Sequence, residues 1–149
     1  MQGNVTPLNM SEARLASSLQ CTASDVLRWA GMPGHASAEA DAVRFSLRRL
    51  HAEHTLVHEG QMFENLHLVI AGSFKDVQTD LEGYEQVLGF SIHGDILGLD
   101  GLGRDRHASG AVALEDSTVV VMTFAELKAL CHPLPALERM LHQAIGTDL

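Results

Sequence analysis

The stretch GFSIHGDILGLDGLGRDRHASGAVALEDSTVVVMTF, residues 89–124, decides how this chain is read. It sets six glycines among short apolar segments and places Arg106 and His107 between the glycine cluster and a valine-rich run. Each glycine inside a helix costs about 1 kcal/mol against alanine, so this density argues against a helix. Strands joined at tight corners accept it, because glycine alone reaches left-handed dihedrals cheaply. The segment reads as the turn-rich half of a closed β structure with a polar pocket at its rim.

The same punctuation extends to either side. Leu66, Leu68 and Ile70 alternate with His67 and Val69 as a strand that Ala71–Gly72 closes. Phe74 and Val77 open the next strand, which runs to Thr79. Asp80–Gly83 then forms a hairpin turn with its glycine where a left-handed residue is wanted, and Tyr84–Phe90 returns antiparallel. Further upstream, Phe45, Leu47 and Leu50 lie on one side of His51–His54, with Leu56 and Val57 on the other, and Glu59–Gly60 makes a turn. Within the quoted stretch His93–Asp95 turns and Ile96–Leu97 is a strand stub. Ala111–Leu114 and Thr118–Met122 are strands parted by Glu115–Asp116. Such breaks, every eight to twelve residues or about that, mark an all-β barrel or roll.

Both ends read as helical. Leu15, Leu19, Val26, Leu27 and Trp29 are loosely spaced for a helix, with Ser24 as a candidate cap and a stop near Gly31. A second short helix starts from Ser37, with Glu39 and Asp41 favouring its N-terminal end. Phe124–Leu130 makes a third, broken by His132–Pro133. Beyond it Leu134, Leu137, Met140, Leu141, Ala144 and Ile145 follow helical spacing, which suits either intramolecular core or a partner-facing helix. The predicted organisation is a helical segment over 1–42, a β-roll over 43–124, and a short helix followed by the start of another over 125–149.

Bulk properties narrow the function. A length of 149 residues is one domain, large enough to bury about two thirds of its unfolded surface without disulfides or a structural metal. Ten Lys plus Arg against nineteen Asp plus Glu give a formal charge of -9, which opposes nucleic-acid binding by these residues themselves. Two cysteines, Cys21 and Cys131, do not make a disulfide framework and suggest a reducing compartment. No basic region followed by an apolar core opens the chain, and no apolar run is long enough to cross a bilayer, so a cytoplasmic protein is expected, with no membrane partner.

Read together, L-H-L-V-I-A-G-S-F-K at 66–75, L-E-G-Y-E-Q-V-L-G-F at 81–90, G-D-I-L-G-L-D-G-L-G-R-D-R-H-A-S at 94–109, A-L-E-D-S at 113–117 and M-T-F-A-E-L at 122–127 resemble the sensor domain of the Crp/Fnr transcription regulators. The likeness is strongest to the oxygen-responsive Fnr-like branch. It implies a mainly β fold, a cyclic-nucleotide-binding-like double-stranded β-helix (jelly roll) with flanking N- and C-terminal helices. It also implies effector sensing, no enzymatic activity, and homodimerisation through the helix that carries Leu134, Leu137, Met140, Leu141, Ala144 and Ile145. In that family a helix-turn-helix domain follows and reads DNA. The chain stops at Leu149, before one, as either the sensor half of a longer regulator or a single-domain relative.

The likeness places a candidate effector pocket at Gly94, Asp95, Gly98, Leu99, Asp100, Arg106, His107, Ala108 and Ser109. In nucleotide-binding members a Gly-Glu pair meets the ribose and an Arg-Ser pair holds the cyclic phosphate. By the resemblance those positions fall here on Gly98–Leu99 and His107–Ala108. Leu99 cannot accept a ribose hydrogen bond, and a neutral imidazole is no substitute for a guanidinium fork. Arg106 stands one place early, which on a strand is the opposite face. Asp100 is a candidate stand-in for the glutamate. Usual cyclic AMP binding is therefore disfavoured, and a pocket filled by local side chains or by another small effector is expected. The iron–sulfur cluster of the oxygen sensors is expected to be absent, since Cys21 stands alone near the N-terminus and the family's strand cysteine falls on Val120.

Other candidates are weaker. His51, His54 and His58 would group on a helix but not on the strand and turn that the segment predicts. Asp95 and Asp100 have no defined separation for acid–base work, and the 94–103 run lacks the ending of a phosphate loop. A cupin-like metal-dependent enzyme is the rival class and would need His or Glu side chains converging inside the barrel around an open coordination position. A ligand-free protein-interaction module differs from the sensor only in an empty pocket.

Overall fold

The computed structural model describes residues 20–31 and 37–131, without the side chains of residues 130 and 131. Its strands are β1 Gln20–Cys21, β2 Phe45–Leu50, β3 Thr55–Val57, β4 Asn65–Ala71, β5 Ser73–Thr79, β6 Glu85–Ile92, β7 Ile96–Leu97, β8 Gly110–Ala113 and β9 Ser117–Thr123. The helices are α1 Ala23–Trp29, α2 Ala38–Asp41 and α3 Phe124–Cys131, with a single 3₁₀ turn at Leu99–Gly101. The strands form a five-stranded sheet ordered β1-β2-β9-β4-β7 and a four-stranded sheet ordered β3-β8-β5-β6, all pairs antiparallel. This is the expected jelly roll with flanking helices.

Two apolar clusters hold it together, one on each face of the five-stranded sheet. Leu66, Leu68 and Ile70 of β4, with Val120 and Met122 of β9, pack outward against Val26, Leu27 and Trp29 of α1 and Leu127 of α3. The alternate residues Val69 and Val119 face the other sheet and meet Phe74, Leu97, Ala111 and Ala113. Because side chains alternate along a strand, covering both faces makes β4 buried from Leu66 through Ile70. Each such aliphatic side chain contributes about 1.5–3 kcal/mol of transfer free energy.

Local expectations were met at several corners. Gly60, Gly72, Gly83 and Gly94 all have positive φ, and the Asp80–Gly83 turn joins β5 to β6. Asp80 Oδ1 accepts from the backbone amides of Glu82 and Tyr84, and these bonds hold its carboxyl below the usual range.

Two expectations at the N-terminal end need correction. The cap of α1 is Thr22, not Ser24. Thr22 and Asp25 close a reciprocal capping box, while Ser24 instead bonds Asp41 of α2 through its amide and hydroxyl. The segment read as purely helical also contributes β1, whose Cys21 pairs with Phe45. That pairing depends on a residue far along the chain, so local periodicity carries no sign of it.

The hairpin of β5 and β6 leaves Leu81, Tyr84, Val87, Leu88 and Phe90 exposed, and β6 is the edge of its sheet. No described helix is long and apolar enough to cross a membrane.

Candidate functional site

The site lies where β7 leaves the five-stranded sheet and the chain crosses to β8. Its near edge is a turn. Gly94 has φ +96° and donates to the Val69 carbonyl, while Asp95 Oδ2 accepts from the Ile92 amide at 2.9 Å. β7 then pairs with His67 and Leu68 of β4. Gly98, also at φ +96°, starts the 3₁₀ turn in a left-handed conformation. A side chain there would meet the Asn65 carbonyl at 3.2 Å and the His107 ring at 3.3 Å, so this corner requires glycine on two counts.

Asp100 is the centre of the arrangement. Its Oδ2 accepts from the Ser109 amide at 2.8 Å and from the Ser109 hydroxyl at 2.9 Å. Its Oδ1 lies 3.1 Å from His107 Nδ1. The imidazole is 3% exposed and stands edge-on to the Phe63 ring at 5.4 Å. The His107 backbone is fixed as well, donating to the Gln61 carbonyl and accepting from the Gly60 amide. Ala108 accepts at its carbonyl from Gln78 Nε2 at 2.9 Å.

The candidate residues therefore divide. Asp100, His107 and Ser109 converge, with Gly98 against the imidazole and Ala108 alongside. Leu99 does not line this cluster; it packs against the core on the α1 side of the five-stranded sheet. Arg106 is exposed, and its guanidinium donates to the Gly60 carbonyl at 2.9 Å. Asp100 is engaged by Ser109 and His107 instead of standing free as a ribose acceptor. Gly94 and Asp95 build the turn before β7. The stripe Leu134, Leu137, Met140, Leu141, Ala144 and Ile145 lies outside the described residues.

Three further polar residues belong to the interior and were not singled out from the sequence. Asp76, on the same face of β5 as Phe74, accepts from the Ser91 hydroxyl at 3.2 Å. Burial raises its pKa, the Ser91 bond opposes that, and the charges of Asp100 and Asp95 raise it further. Alternation from Phe74 was the available signal for Asp76. His67 faces the same interior as Val69, 6% exposed, with no hydrogen-bond partner at Nδ1. Burial, then Arg48 and His107, push its pKa down to about 4. The interior thus holds one half-buried carboxyl, Asp76, whose charge is disfavoured by burial and by neighbouring acidic groups, and an imidazole kept neutral.

Among the described residues no three His, Cys, Asp or Glu side chains are grouped as a metal site. Cys21 is buried in the α1 core, and burial, then the charge of Asp25, push its thiol up to about 12.

A roll of this topology with a glycine-rich crossing between β7 and β8 defines a class, and comparison with known proteins identifies it. Residues 47–133, more than half of the chain, match the model of the cyclic nucleotide-binding domain, and the chain belongs to that family as a sensor domain of the Crp/Fnr kind. It is 30% identical over 143 residues to the transcriptional regulatory protein btr of Bordetella pertussis, covering 96% of this chain and 58% of that protein. It is 30% identical over 95 residues to the fumarate and nitrate reduction regulatory protein of Escherichia coli, covering 64% of this chain and 38% of that one. Among solved structures, the catabolite activator protein of Thermus thermophilus superposes with a TM-score of 0.65 at 21% identity, over 95% of this chain and 55% of its own. The chain therefore spans 58% of the length of the btr protein and 38% of that of the Escherichia coli regulator.

Proposed function

We propose that this chain is the effector-sensing and dimerisation domain of a Crp/Fnr-like transcription regulator, and that it does not take cyclic AMP in the usual way. The relative named as a transcriptional regulatory protein supports the first part. The second rests on one observation: the donors of Ser109 and His107 are already engaged by Asp100. An incoming cyclic phosphate would have to break those bonds and enter beside Asp76, whose carboxyl already senses the charge of Asp100. Arg106, bonded to Gly60, supplies no clamp in this geometry.

Dimerisation belongs to the apolar stripe Leu134–Ile145, with two-fold pairing as the commonest arrangement for such a surface. DNA reading, by the same proposal, belongs to a helix-turn-helix domain outside these residues. Calorimetric titration with cyclic AMP and cyclic GMP tests the effector reading: no saturable heat is expected at submillimolar ligand. A micromolar dissociation constant for either would overturn it. Sedimentation tests the pairing, with Leu141→Asp expected to convert a dimer to a monomer.

A further inference from the structure

We draw no further inference here: the strongest candidate, the apolar surface that Leu81, Tyr84, Val87, Leu88 and Phe90 expose on the β5–β6 hairpin, carries nothing because nothing in the structure shows what covers it.

Discussion

Gly72 sits directly over Ser117, with its φ at +88° and the Ser117 Cα 2.7 Å from where a Cβ would stand. The pair locks the corner at which the chain leaves β4 in one sheet and enters β5 in the other. The Ser73 amide donates to Ser117 Oγ, which in turn donates to the Glu115 carbonyl at 2.7 Å. Gly72→Ala therefore meets two penalties, a left-handed backbone costing about 1–2 kcal/mol and an overpacked contact costing about 1–3 kcal/mol. A loss of about 2–5 kcal/mol is expected by urea unfolding. A loss below about 1 kcal/mol would show that the corner relaxes freely.

Arg106 offers the opposite case. Its guanidinium is exposed and its recorded bond is to one carbonyl, Gly60, so Arg106→Ala should cost no more than about 1 kcal/mol. Urea unfolding of wild type and variant reads that cost. A loss above about 2 kcal/mol would show that the guanidinium carries more than this one bond.

The fold was legible where chemistry is local. Asp80–Gly83 spelled its turn, and the glycines at 72, 94 and 98 marked corners that require positive φ. The site was legible as a region but not as a geometry. Asp100 and Ser109 are nine positions apart, and only the path of the crossing segment brings the carboxylate onto the amide. Leu99 looked like a group facing the pocket, yet the 3₁₀ turn rotates it into the α1-side core. His67 was hidden for another reason. In a strand buried on both faces, alternation no longer separates core from solvent, so a polar residue in the run gives no sign of pointing inward.

Cys21 should be chemically silent. Its thiol is 1% exposed and its pKa is raised to about 12, so almost no thiolate exists at neutral pH to attack a reagent. Labelling with iodoacetamide followed by peptide mapping is expected to leave Cys21 unmodified in the native protein and modified in urea. Rapid native labelling at Cys21 would contradict the packing of β1 against α1.

The interior imidazole sets an acid limit on stability. His67 has its pKa lowered from 6.5 to about 4, by burial first and then by Arg48 of β2 and His107 of the crossing segment. Between those two values the unfolded chain binds a proton that the folded chain refuses. Its contribution is therefore intact above about pH 6.5 and is lost as the pH falls toward 4. One pKa unit corresponds to about 1.4 kcal/mol, so the loss amounts to about 3 kcal/mol across the window. Asp76 works the other way: its raised pKa means that the folded state takes up a proton more readily, which offsets part of the loss at the acid end. Urea unfolding at a series of pH values, in wild type and His67→Leu, separates the two. The variant is expected to flatten the fall between pH 6.5 and 4, leaving a slope of opposite sign from Asp76 beneath the remaining carboxylates. An unchanged acid slope in folded His67→Leu would show that the imidazole is not the group being titrated.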